Sequence, residues 1–394
     1  MANPPDDTRA RSGYAGLLKS TLIETTRIVR DMHGAIAGQT FGVLERVPLV
    51  GAPVRLVAGA HAAIAHGVYT AINGIGGGLL DVVDEVEQRL AGNAHARLPV
   101  GIKSALNAAF GDHLHANNSA FAIPMALIGA GAPLSLDRAG LAAAFPAPNA
   151  QICVFVHGLG CSDRSWEASG RPDVHLGEEL ERALGLTPIY LRYNSGLPIA
   201  QNGAALAQLL EQLVEAWPAA ACELTLIGHS MGGLLARSAL EQAPADAPWK
   251  AATRGLICIG SPHTGAPLAR HGEQLQRALD TFAVTAPLGR LGGARSRGIK
   301  DLHDGLSPSE IPGGAHIARR FIGSHLGAQP DGALASLFGD GLVPLASSTT
   351  LDGHTPTTHL VLAEIGHLGL LNDPRVLEQI QSWLCEDSEP RNFS

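Results

Sequence analysis

The segment Gly228-His229-Ser230-Met231-Gly232-Gly233 holds a serine between two glycines at G-x-S-x-G spacing. Before it lies a short apolar run, Leu224-Thr225-Leu226-Ile227, which suits a core strand. After it come Leu234 to Leu240, rich in helix formers. Strand and helix nearly touch at such a turn, so small residues are needed on both sides of the serine. The arrangement leaves the Ser230 hydroxyl at a helix N-terminus, where the dipole favours a developing anion. The chemistry this could do is nucleophilic attack on a carbonyl carbon. The plain structural alternative is a Gly-rich turn with a helix-capping serine.

A nucleophilic serine needs a base, an acid to orient the base, and donors for the oxyanion. The continuous apolar run Ile152-Cys153-Val154-Phe155-Val156 suits a parallel strand buried on both faces. It ends in His157-Gly158-Leu159-Gly160, a loop able to turn a backbone N–H toward an oxyanion. The donors are assigned to the amides of Leu159 and of Met231, the residue after the serine. His157 is read as bonding loop backbone and not as the base. The acid is assigned to Asp340 in Gly339-Asp340-Gly341-Leu342-Val343-Pro344, which follows a late core strand within Ala315–Gly323. Glycines on both sides let that loop carry a carboxylate inward. Asp331 and Asp352 are the alternative acids and lack this loop signature. The base is assigned to His367, between a last strand (Leu360 to Ala363) and a terminal helix with Asp373 as N-cap and Pro374 at its first position. Trp166 lies soon after the oxyanion loop and could line an acyl pocket or belong to the core.

These segments, with Tyr193-Asn194-Ser195-Gly196 and Gly260-Ser261-Pro262-His263-Thr264-Gly265-Ala266-Pro267, make residues 120 to 385 similar to bacterial lipases and esterases of the α/β-hydrolase superfamily. More narrowly, they resemble the branch grouped with GPI-inositol-deacylase-like hydrolases. The resemblance implies ester hydrolysis by Ser230, Asp340 and His367, with no metal or organic cofactor. The Ser261-Pro262-His263-Thr264-Gly265 segment is characteristic of such lipases and offers His263 as a substrate-side residue. Acyl chain and alcohol are left open.

Organisation and composition fit that reading. Leu206, Leu209, Leu210, Leu213, Val214 and Trp217 form an amphipathic helix between the strand Thr187–Tyr193 and the serine strand. Such alternation predicts an α/β-hydrolase fold: a mostly parallel sheet covered by helices on both faces. The stretch 268–314 interrupts the alternation after the sixth strand and reads either as a lid or cap or as a surface insertion with no gating role. Residues 1–13 read as disordered, 14–118 as a helical accessory region, and 119–394 as the catalytic domain. The accessory region has helical apolar spacing from Leu18 to Ile36, an uncharged stretch from Leu56 to Leu80, and a helix from Ile102 to Leu114. Glycine, histidine and alanine in the uncharged stretch favour packing over a membrane span, with peripheral contact to a lipid surface between the two.

The chain has 394 residues, 45% hydrophobic and only 16% charged, enough for a large core. Net charge is −8 with no basic run, which argues against nucleic acid as a partner. Five cysteines, with no C-x-x-C pair, indicate neither a disulfide scaffold nor a zinc site. Met1 to Asp7 lacks a signal-peptide pattern, so the expected location is cytoplasmic. The alternatives are an acyltransferase, an intracellular polyester (polyhydroxyalkanoate-type) depolymerase, and a hydrolase scaffold used as a binding module.

Overall fold

The apolar runs form the strands β1 (Ala126–Gly129), β2 (Ala132–Pro133), β3 (Gln151–Val156), β4 (Thr187–Arg192), β5 (Glu223–His229), β6 (Thr253–Ile259), β7 (Ala318–His325) and β8 (His359–Ala363). The structure is a computed structural model, and it describes residues 100–116, 119, 121–167, 176–265, 296–306, 310–328, 339–350 and 358–388. The apolar spacing over 18–36, the uncharged stretch 56–80 and most of 268–314 lie outside the described residues. The strands make one sheet in the order β2-β1-β4-β3-β5-β6-β7-β8. β1 runs antiparallel to β2 and β4, and the pairings from β4 to β8 are parallel.

The helices are α1 (Val100–Ala116), α2 (Arg138–Ala144), α3 (Leu176–Leu184), α4 (Ile199–Ala216), α5 (Met231–Gln242), α6 (Pro248–Ala252), α7 (Arg297–Asp304), α8 (Leu345–Thr349) and α9 (Pro374–Ser388). Side chains alternate across a strand, so both faces of a covered sheet must be apolar. Ile152, Val154 and Val156 of β3 join one core with Leu226, Leu256 and residues of α4, α5 and α6. Cys153 and Phe155 point the other way and join Ile227, Ile257 and residues of α3 and α9. α4 buries Leu206, Leu210 and Leu213, one stripe at helical spacing. α9 starts as its sequence suggests: Asp373 Oδ1 accepts the Arg375 amide at 2.9 Å, and Pro374 is its first residue.

Two features differ from the expectations above. The β1–β2 hairpin was not anticipated, because two strands this short carry almost no periodic signal. And α1, grouped by sequence with the accessory region, falls in the same compact unit as the sheet. Among its described side chains, the buried ones are small or polar: Ser104, Ala105, Asn107, Ala108 and Ala109. The fully buried Asn107 side chain donates to the carbonyls of Lys103 (2.9 Å) and Phe121 (2.8 Å) and accepts from the amide of Ile123 (2.9 Å). The helix kinks at Phe110 (φ −131°), and the next residue, Gly111, meets Gly196 backbone to backbone. Among the described residues no helix is long and apolar enough to cross a membrane.

Asn107→Ala would strip the half-buried Ile123 amide and Phe121 carbonyl of their partner, so it should destabilise the sheet unit by roughly 1–3 kcal/mol. All four tryptophans lie in the sheet unit, so denaturant unfolding followed by their fluorescence reads it directly. An unchanged midpoint would show that α1 is not part of that cooperative unit.

Candidate active site

Ser230 sits between β5 and α5 with φ 55° and ψ −125°, outside the regions a serine ordinarily adopts. Such a backbone costs about 1–3 kcal/mol and persists only where its surroundings over-determine it. Here the Ser230 amide donates to the Ile259 carbonyl at 2.8 Å, and its carbonyl accepts from Gly233 at 3.1 Å. A Cβ on Gly228 would collide with the Gly232–Gly233 backbone, and one on Gly232 with the Val156 carbonyl. The glycines therefore allow β3, β5 and α5 to meet at the serine.

The loop after β7 turns at Gly339 (φ 52°) and presents Asp340. Its Oδ1 accepts the amides of Leu342 (2.9 Å) and Val343 (2.8 Å), and its Oδ2 accepts Nδ1 of His367 at 2.7 Å. The His367 amide donates to the Asp340 carbonyl at 3.1 Å, so the two residues are linked through backbone and side chain. With Nδ1 donating, neutral His367 carries its lone pair on Nε2, the nitrogen free to act as a base. Both side chains are buried. The His367 ring lies against Gly260, where a Cβ would come within 3.2 Å of Cε1. It also lies 4.8 Å, centroid to centroid, from the ring of His229, the neighbour of Ser230. His229 Nε2 donates to the His367 carbonyl at 3.1 Å. That link was missed in the sequence, where His229 reads only as the variable position of the serine motif.

The loop after β3 reaches the same place. A Cβ on Gly158 would come within 3.1 Å of Ser230 Cβ. Leu159 and Met231 share a small apolar cluster with Ala108 of α1, Ile199, Leu234 and Ile299 of α7. His157 is buried, stacks on Tyr193 with centroids 4.3 Å apart, and donates from Nδ1 to the Gly158 carbonyl at 2.9 Å.

Other singled-out residues lie elsewhere. Trp166 packs edge-on against Phe155, centroids 5.1 Å apart, in the core beneath α3 and α9. His263 is 1% exposed and packs edge-on against Phe321 at 4.8 Å, with neither ring nitrogen hydrogen-bonded. Both side chains are buried in the core. Asp331 and Asp352 lie outside the described residues. Of the stretch read as a lid or a surface insertion, α7 is tied down: Ser296 Oγ donates to the Ala108 carbonyl (2.6 Å), Gly298 N to the Gly196 carbonyl (3.0 Å), and Asp301 Oδ2 accepts the Ile199 amide (2.8 Å). Among the described residues, no group of three or more His, Cys, Asp or Glu is placed to hold a metal ion.

A serine elbow after the middle strand of a mostly parallel sheet, with Asp and His on the loops after β7 and β8, defines an α/β-hydrolase fold. Residues 199–292 match the family model of the PGAP1-like alpha/beta domain. No curated protein matches the chain. Among solved structures, the chain is similar to the mature form of a Bacillus licheniformis lipase, at 19% identity over 66% of this chain and 98% of that one, TM-score 0.44. It is also similar to a metagenomic carboxyl esterase, at 16% identity over 77% and 99%, TM-score 0.39. An esterase from Thermogutta terrifontis is 15% identical over 68% and 94%, again with TM-score 0.39.

Burial makes acid costly for this region. It pushes His157 down to about 4, His229 to about 3 and His263 to about 3, with the His367 charge adding to the effect at His229 and Arg237 at His263. In the unfolded chain a histidine titrates near 6.5 (roughly), so between about pH 6.5 and 4 the unfolded state binds more protons. Stability should therefore fall as pH drops through that window, by about 1.4 kcal/mol per pH unit for each histidine. His263→Gln should lessen the slope by one proton in pH-dependent unfolding. A flat profile from pH 7 to about 4.5 would contradict the neutral, buried state of these rings.

Proposed function

We propose that this protein is a serine carboxylic ester hydrolase, an esterase or lipase. The observation that carries the reading is the 2.7 Å Asp340–His367 bond beside a serine held in a strained elbow. His367 Nε2 takes the hydroxyl proton as Ser230 Oγ attacks the ester carbonyl carbon. The carbonyl oxygen becomes an oxyanion, held by the amides of Leu159 and Met231. Collapse of the tetrahedral species expels the alcohol, which receives the proton from His367 and leaves an acyl-serine. Water, deprotonated by the same nitrogen, attacks the acyl carbon; the bond from that carbon to Ser230 Oγ then breaks, His367 returns the proton to Oγ, and the acid leaves. Asp340 keeps the imidazole in the tautomer that exposes Nε2 and stabilises the imidazolium. Its Oδ1 is occupied by two backbone amides, which leaves Oδ2 aimed at the ring. The family match spans the elbow and the Ser261–Gly265 segment, in keeping with this assignment.

The test is hydrolysis of a p-nitrophenyl ester series from acetate to palmitate by the purified full chain. Ser230→Ala should keep the fold and lose kcat on the order of 10⁴-fold or more. Asp340→Asn should cost on the order of 10³- to 10⁴-fold, by failing to support the correct tautomer. Substantial turnover by Ser230→Ala would overturn the nucleophile, and near wild-type turnover by Asp340→Asn would overturn the acid. Adding a dilute alcohol acceptor separates hydrolase from acyltransferase by the product ratio: a transferase gives mostly the new ester, and a hydrolase gives mostly the free acid.

A further inference from the structure

The end of β4 and the turn that follows it, Arg192 to Gly196, touch the loop after β3 at three places. Arg192 Nε and Nη2 donate to Asp163 Oδ1 and Oδ2, each at 2.8 Å. The Tyr193 hydroxyl donates to the His157 carbonyl at 2.8 Å. Ser195 Oγ accepts the Gly160 amide at 3.1 Å. The held points are residues 157, 160 and 163, so they bracket Leu159. Within the bracket, the Gly158 carbonyl accepts both His157 Nδ1 (2.9 Å) and the Cys161 amide (3.2 Å). In a trans peptide the C=O and the next N–H point in opposite directions. Fixing the Gly158 carbonyl therefore fixes the direction of the Leu159 N–H. Tyr193 controls that carbonyl twice over, since it holds the His157 backbone and stacks on the ring that donates to it.

The bracket is itself braced. Asn194 Nδ2 donates to the Gly111 carbonyl of α1 at 2.9 Å, and Asn202 Nδ2 donates to the Asn194 carbonyl at 2.9 Å. From the other side, the Gly298 amide of α7 donates to the Gly196 carbonyl. Tyr193 and Ser195 are both almost wholly buried, so solvent cannot readily replace their hydroxyls.

We propose that Tyr193 and Ser195 are positioning residues that orient the Leu159 amide toward the oxyanion, with α1 and α7 bracing them from outside. This rests on the ester-hydrolase reading. Neither residue touches substrate; each acts through the loop. A donor that must lie within a few tenths of an ångström of the developing oxyanion loses value when its peptide can tilt.

Tyr193→Phe and Ser195→Ala, each in the full chain, remove one hydroxyl and little volume. Each should lower kcat for a p-nitrophenyl ester by roughly 10- to 100-fold with KM within about twofold, since the oxyanion exists only beyond the ground state. Affinity for a trifluoromethyl ketone, which forms a tetrahedral oxyanion on the serine, should fall in parallel. The pH dependence of kcat should not move, because the Asp340–His367 pair is untouched. Hydrogen exchange at the amides of residues 159–161 should quicken in both variants. Unchanged kcat, or a loss confined to KM, would overturn the proposal, as would exchange at 159–161 that stays at the wild-type rate. Wild-type protein inert to every ester would instead refute the hydrolase reading, and the exchange measurement would still decide whether the two hydroxyls hold the loop.

Discussion

The carbonyl of Val156 occupies the space that a side chain on residue 232 would need. From this backbone contact follows much of the site. It lets the first turn of α5 press onto the end of β3, and Gly228 lets the end of β5 press onto that same turn. With the three backbones in contact, the loop leaving β3 emerges directly beside Ser230. A methyl group at either glycine would wedge the layers apart. The strain at Ser230 is the counterpart of this closeness, and the core on both faces of the sheet offsets it: the buried residues of β3, β5, β6 and α5 leave the elbow no room to relax.

Around that contact the site is assembled from strand ends, and the side chains of Asp340, His367 and His157 are each hydrogen-bonded within it. Asp340 divides its two oxygens between a backbone turn and an imidazole, so a carboxylate withdrawn from water keeps hydrogen-bond donors on both. The backbone of His367 is tied to Asp340 on one side and to His229 on the other. His157 and Tyr193 do the same for the loop after β3. Rigid strands thus set positions, and short side-chain bonds set angles, with α1 and α7 closing the assembly from outside.

Some of this is legible in the sequence. The core strands announce themselves because both their faces are buried, so the run at 152–156 is apolar without a break and the run at 224–227 is broken only by Thr225. Ser230, Asp340 and His367 each carry a local signature: flanking glycines for the first two, and a place between the last strand and the last helix for the third. Other features depend on contacts distant in the chain. Among its described side chains α1 buries serine, alanine and asparagine, residue types that do not announce in sequence that the helix belongs with the sheet. Trp166 and His263 lie near the site in sequence, yet their rings fill the core against Phe155 and Phe321. Tyr193-Asn194-Ser195-Gly196 stands out as a motif, but its hydrogen bonds run to residues 111, 157 and 160, which no local pattern connects to it.

The central claim is that the strained elbow serine becomes covalently acylated, and mass spectrometry of enzyme quenched in acid during turnover tests it most directly. With a p-nitrophenyl ester as substrate, the account expects the intact protein to gain the mass of the acyl group, and peptide mapping to find that mass on Ser230. Continued turnover with no adduct, or an adduct on a residue other than Ser230, would contradict it.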